Sequence, residues 1–252
     1  MELLSTIVDY VNRTLDVDRI SDYCPNGLQV QGRTEVRRLV TGVTASLEFL
    51  ERAIEADADA VLVHHGYFWR GEPAALIGMK YARVKQLITH DISLLAYHLP
   101  LDTHLEFGNN AQLARRLDLQ NLQQHSVDGV ENLFWSGELE KPISAESWIE
   151  RIDTALGRSP TVAGDMGRPI GRVGCCTGGA QRYISMAADL GLDAFVSGEI
   201  SEQTTHEARE RQVFYAAAGH HATERYGVQA LGEHLSQQFA LEHRFIDVDN
   251  PA

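Results

Sequence analysis

Two segments of this 252-residue chain lie over each other without a gap. RRLVTGVTASLEFLERAIEADADAVLVHHG covers 37–66, and RVGCCTGGAQRYISMAADLGLDAFVSGE covers 172–199. With one constant shift Ala45 meets Gly179, Ala53 meets Ala187, Asp59 meets Asp193 and Ala60 meets Ala194. Each segment reads as apolar strand, tight turn, helix of the same length, Asp-Ala, and a second apolar strand. Such units build parallel sheets, whose strands are covered on both faces and therefore run apolar throughout. ISLLAY, QVFYAA and RFIDV fit that pattern, and YARVKQLITH has the periodicity of a covering helix. The expectation is an α/β fold of two related α/β units arising from an internal duplication. The first would span 1–122 and the second 123–252. A short insertion near 122–170 would hold a strand in ENLFWSGELE and a helix in SAESWIERIDTALG.

The chemistry gathers at the strand ends, where open α/β sheets bind their ligands. The apolar run Ala60–Val63 ends on His64-His65-Gly66. ISLLAY is followed by His98 and, four residues on, Asp102. DAFVS leads to Gly198-Glu199, and QVFYAA leads to His220 and Glu224. Each half thus closes a strand with His-x-x-x-acid. Imidazole nitrogen and carboxylate oxygen are the donors that zinc, iron, manganese and nickel accept. Mixed His/carboxylate sets leave coordination positions open, as catalytic metals require. The donors are enough for two ions, which at about 3.5–4 Å apart clamp both the attacking and the leaving atom of a substrate. Neighbouring side chains on a strand point to opposite faces. Both His64 and His65 face one cavity only if the strand ends between them, a bend that Gly66 would permit.

Composition narrows the partners. The formal charge of −13 opposes a generally basic nucleic-acid surface. Only Arg33–Arg38 and Lys80–Lys85 gather a few basic side chains. No apolar run approaches the roughly 18 residues of a membrane span. MELLSTIVDYVNRTLD repeats apolar residues at Leu4, Ile7, Val8, Val11 and Leu15, an amphipathic helix rather than a signal peptide. A cytoplasmic location is expected. Three cysteines, Cys24, Cys175 and Cys176, make a poor disulfide framework and read as buried, reduced thiols remote from the strand-end loops. The TGGA turn at 177–180 offers backbone amides to a phosphate. Tyr67, Phe68 and Trp69 read first as packing residues and second as walls of a substrate pocket.

These segments also carry a resemblance. YCPNGLQVQG, VTGVTAS, DAVLVHHGYFW, HLPLDTH with GNNAQLA after it, CCTGGA, DAFVSGEISEQTTHEARE and AAGHHATE span nearly the whole chain. Together they resemble the Nif-three-like (Ngg-interacting-factor-three-like) dinuclear metal-centre family, the GTP cyclohydrolase type-two homologues, in its short bacterial YbgI-type form. The resemblance implies two divalent metal ions per chain, held between the two related units. It implies His64, His65, Asp102, His220 and Glu224 as ligands. Glu224 would bridge the ions, with His65 and Asp102 on one and His64 and His220 on the other. His98 would stand beside the metals as a sixth ligand or a catalytic proton carrier. Glu199, with His206, would act near the pocket or merely cap a helix. The resemblance further implies a homo-oligomer, a ring-shaped hexamer. Two functions follow. One is a metal-dependent hydrolase of a small molecule, with nucleotides, GTP, phosphoesters or peptides as candidates. The alternative is a non-enzymatic metal-binding ring that binds nucleic acid in a DNA-damage response or handles metal ions.

Overall fold

The computed structural model describes all 252 residues and divides the chain into two compact units. The first comprises Met1–Leu101 and Gly227–Asp249, the second Asp102–Tyr226 and Asn250–Ala252. The chain is a mixed α/β protein, as the alternation of apolar runs and helical stretches predicts.

The first unit opens with β1 (Glu2–Leu3) and α1 (Leu4–Thr14), which buries Leu4, Ile7 and Val11. β2 (Gly27–Val30) and β3 (Glu35–Val36) follow, and β3 pairs with β1. The centre is β4 (Arg38–Thr44), α2 (Leu47–Glu55), β5 (Ala60–His65), α3 (Gly78–Thr89) and β6 (Ser93–Ala96). The short α4 (Leu99–Thr103) ends this stretch. Ser46 caps α2 through its side chain, so the strand-to-helix turn satisfies its own amide donors. The closing elements come from the far end of the chain: the second half of α9 (His220–Phe239) and β13 (Glu242–Phe245). The sheet order is β13-β4-β5-β6-β2, with β13, β4, β5 and β6 parallel and β2 antiparallel to β6. Val40, Val61, Val63, Phe49, Leu50, Leu87 and Leu94 make its core.

The second unit repeats the parallel arrangement with a different flank. β10 (Ile170–Cys175), α7 (Ile184–Asp189), β11 (Ala194–Ser197), α8 (Glu202–Glu210) and β12 (Phe214–Ala217) give three parallel strands in order. The segment near 122–170 supplies the flank. It contains the hairpin β7 (Gln120–Val127) and β8 (Val130–Ile143), then α6 (Ala145–Leu156) and β9 (Thr161–Ala163). The full order is β7-β8-β10-β11-β12-β9. α6 is capped by the Ser144 side chain and ends on Gly157 in the left-handed conformation. α5 (Asn109–Arg116) precedes this sheet. Its core gathers Trp135, Trp148, Ile152, Leu156, Val173, Val196 and Phe214.

The aligned residues Asp59 and Asp193 do the same work in the two units. Asp59 Oδ2 accepts hydrogen bonds from the backbone amides of Arg37 and Arg38. Asp193 Oδ2 accepts them from Gly171 and Arg172. Each aspartate amide donates to the strand before it, at Arg38 and Arg172. Each aspartate carbonyl accepts from the strand after it, at Ser93 and Phe214.

Candidate metal centre

In the first unit, β5 carries the histidine pair. The strand runs through both residues, Ala60 to His65, so the expected break between them is absent. The rings nevertheless lie 4.6 Å apart. Each turns sideways to a different neighbouring chain segment. His64 Nδ1 bonds the carbonyl of Tyr97, just past β6, at 2.9 Å. His65 Nδ1 meets the Thr44 hydroxyl, at the end of β4, at 3.2 Å. Gly66 is required for space rather than for a special dihedral. A Cβ there would lie 2.2 Å from Gln29 Oε1 and 2.6 Å from Ala96 Cβ. Gln29 needs that place because its amide pairs with both the N–H and the carbonyl of Tyr67.

His98 joins the pair. Its ring is 5.0 Å from that of His64 and 5.9 Å from that of His65. One donor atom from each of the three histidines falls within 4.8 Å of the others, a group that could hold a metal ion. His98 Nδ1 lies 3.0 Å from Asp22 Oδ1. The Asp22 side chain is buried, yet His98 and the amides of Asn26 and Leu99 overcome that burial and hold its carboxyl down at about 2. Asp22, Cys24 and His98 form a second donor group, so one sulfur does reach the strand ends. Cys24 is half-buried, while Cys175 and Cys176 are buried, and none is in a disulfide. Trp69 and Tyr23 flank His98 at 5.1 and 5.0 Å between ring centres. Tyr67 is core and donates its hydroxyl to the Ala45 carbonyl. Trp69 is therefore the aromatic residue of this segment that borders the histidines.

In the second unit the candidate donors are Asp102, His220 and Glu224. Asp102 is buried and accepts from Asn109 Nδ2 at 2.9 Å. Asn110 donates to the Asp102 carbonyl and accepts from the Thr177 amide. This explains two adjacent asparagines that are wholly buried at the start of α5. His220 and Glu224 lie one turn apart at the start of α9, with Nε2 and Oε2 separated by 3.2 Å. His220 Nδ1 is 2.7 Å from Glu199 Oε1, so Glu199 is a partner of the site histidine. Burial disfavours a charge on His220, but Glu224 and Glu199 outweigh it and raise the imidazole to about 9. His206 is exposed on α8.

The TGGA turn does not present its first amides outward. Thr177 N–H is taken by Asn110 and Gly178 N–H by the Thr223 hydroxyl. Gly178 is left-handed, and a Cβ there would lie 2.2 Å from Glu224 Oε1 and 3.1 Å from His220 Nε2. The turn exists to clear room for those two side chains. Burial, with Asp102 and Glu224 nearby, drives the Cys176 thiol well above its usual value, and burial pushes Cys175 up to about 12.

One pattern unites the four histidines. Each anchors Nδ1 within its own unit, on Tyr97, Thr44, Asp22 or Glu199. In His64, His98 and His220 the partner is a carbonyl or carboxylate, which fixes the tautomer and leaves Nε2 as the basic nitrogen, the arrangement that supports metal-bound histidine. The donor set is nitrogen and oxygen, which fits divalent transition ions. The polar residues that supply this support, Asp22, Asn26, Thr44, Asn109 and Asn110, carry no periodic signal. Only the buried asparagine pair departs from what composition leads one to expect.

The profile of the Duf34/NIF3 (NGG1p interacting factor 3) family matches residues 3–251. A Pseudomonas aeruginosa protein named GTP cyclohydrolase 1 type 2 homolog is 55% identical over 249 residues, covering 99% of this chain and 98% of its own. A Haemophilus influenzae protein of the same name is 50% identical over 243 residues, 96% of each chain. The solved structure of YbgI, described as of unknown function, superposes with a TM-score of 0.95 at 47% identity and full coverage of both chains.

Proposed function

The chain belongs to the Duf34/NIF3 family, and from that premise we propose that it is a dinuclear metal-dependent hydrolase of a small molecule. His64, His65, Asp102, His220 and Glu224 would hold the ions, with the Glu224 carboxylate as the proposed shared ligand. The observation that carries this reading is the anchoring of Nδ1 on an acceptor in His64, His98 and His220, which leaves each of them the same basic atom, Nε2. The bound ions would polarise the bond to be cut and acidify a water. His98 accepts and returns the proton at Nε2, with Asp22 behind it. Trp69 and Tyr23 give that histidine an apolar border suited to a planar substrate group. The name shared by the relatives points to a nucleotide such as GTP, and phosphoesters and peptides are the other candidates.

The assembly proposed is a homohexameric ring, acting in the cytoplasm. No helix is long and apolar enough to cross a membrane. The net charge of −13 favours the hydrolase over a nucleic-acid-binding ring.

Elemental analysis tests the reading. Protein purified without chelator or nickel resin should carry near two divalent ions per chain. The variants His65→Ala and Glu224→Ala should lose them while keeping their circular dichroism. A native chain that stays metal-free after incubation with zinc, iron, manganese and nickel would refute the proposal. The ion found should then be used in a screen of nucleotide, phosphoester and peptide hydrolysis.

A further inference from the structure

We infer that Asp22 is a positioning residue that locks His98 in the Nδ1–H tautomer, so that Nε2 is its proton-accepting atom. The consequence for catalysis rests on the hydrolase reading; the tautomer itself does not.

Donors surround the Asp22 carboxylate. Asp22 Oδ1 accepts from the amide of Tyr23 at 2.6 Å and faces His98 Nδ1 at 3.0 Å. Asp22 Oδ2 accepts from Asn26 Nδ2 at 2.9 Å and the Leu99 amide at 3.0 Å. Its side chain is 2% exposed. Every other partner of this carboxylate is an N–H, so it is an acceptor throughout, and an ionised carboxylate has nothing to donate. A bare Nδ1 lone pair would face a negative oxygen. The proton must therefore sit on Nδ1.

Asn26 makes the arrangement rigid. Its Nδ2 donates to Asp22 while its Oδ1 accepts from the His98 amide at 2.7 Å. Flipping that amide would set donor against donor and acceptor against acceptor. One asparagine thus fixes both members of the pair. On the far side, the Tyr23 hydroxyl lies 3.4 Å from His98 Nε2, the side on which a donor belongs when Nε2 carries the lone pair. The run DYCPNG therefore delivers an acid, an aromatic wall and a clamp to one histidine.

Glu199 stands in the same relation to His220 in the second unit, at 2.7 Å. Neither acid belongs to the His-x-x-x-acid motif whose histidine it holds.

The test is long-range proton–nitrogen correlation spectroscopy on full-length protein labelled with ¹⁵N-histidine. Spectra are taken after chelation and again after loading with zinc, and His98 is assigned with His98→Gln. Chelated wild type should show His98 as Nδ1–H. Asp22→Ala should move the tautomer ratio about tenfold or more toward Nε2–H, as loss of a bond to a charged acceptor requires. Asp22→Asn keeps the shape and should move it in the same direction by less. The rings of His234 and His243, held by Tyr10 and Thr41 in the same unit, should stay unshifted. A merely structural effect of Asp22 would move them too. An Nε2–H form in wild type overturns the inference whatever the variants do. So does an Asp22→Asn protein whose His98 remains Nδ1–H to the same extent. Metal content of the same samples separates the two readings. Nδ1–H without metal refutes the metal centre alone, and Nε2–H with two metals refutes the role of Asp22 alone.

Discussion

Asp59 and Asp193 stand 134 residues apart and each binds two consecutive backbone amides with a single carboxylate oxygen. The amides open the strand that precedes each aspartate by one helix. An alanine at either place would strip two charge-assisted bonds from the first rung of a sheet. Asp193→Ala should cost about 2–4 kcal/mol. Asp59→Ala should cost more, because Asp59 also binds Arg33 at 2.6 Å. Urea unfolding followed by fluorescence measures both, and a loss below about 0.5 kcal/mol would show that these bonds do not hold the sheets.

Gly178→Ala is expected to be the mildest change with a large effect on metal. The methyl would sit 2.2 Å from Glu224 Oε1, on a backbone with φ of +67°. The side chain of Glu224 must move. Circular dichroism should stay native while metal content falls by at least half.

Asn109→Leu removes the shorter of two hydrogen bonds to the Asp102 carboxylate without replacing a proposed ligand. Loss of a supporting hydrogen bond of this kind typically weakens metal affinity about 10–100-fold. Competition with a chromophoric chelator reads that change directly. Unchanged affinity would mean that Asp102 is oriented by other groups.

His220 gives metal uptake a pH dependence. Its imidazole is raised to about 9 by Glu224 and Glu199 against the opposing effect of burial. The metal-free side chain therefore carries a proton at neutral pH, and an ion held there as proposed would have to displace it. Apparent affinity should rise about tenfold per pH unit up to about pH 9 and then level. The sign reverses for stability of the metal-free chain. A raised value stabilises below about 6.5, and that contribution is lost as pH rises through about 9. Proton release on zinc binding, measured in two buffers by calorimetry, checks both.

Thiol chemistry should separate the three cysteines. Burial holds Cys175 at about 12 and Cys176 well above the ordinary thiol value, so both remain protonated and shielded at pH 8. Cys24 is half-buried. A disulfide reagent should modify Cys24 alone in the folded chain and all three in urea. Rapid reaction of Cys175 or Cys176 in native protein would contradict their burial at the end of β10.

The sequence revealed what repeats and what is apolar. The buried run Ala60–Val63 and its match Ala194–Ser197 announce central parallel strands, and Ser46, Ser144 and Gly157 mark helix ends by their chemistry. The strand-end donors were legible for the same reason, since apolar runs make their polar termini conspicuous. The supporting shell was not. Asp22, Asn26 and Thr44 are ordinary loop and strand-end residues until Leu99, His98 and His65 arrive from 21–77 positions away. Nor does local pattern tell that two neighbours on one strand, His64 and His65, turn to opposite flanking segments instead of opposite faces. That outcome depends on Tyr97 and Thr44, which only the sheet order brings alongside.

β13 joins the first sheet beside β4, although some 200 residues separate them in the chain. On the ribosome this order has a consequence. The amino-terminal strands emerge first but the sheet lacks its β13 edge until residues 242–245 are synthesised. A chain stalled or cut short anywhere after β6 leaves β4 with an open parallel edge, which is the kind of surface that recruits chaperones and proteases. Completion of this early-made sheet thus waits on residues made some 200 positions later, and until then the outer edge of β4 stays unpaired.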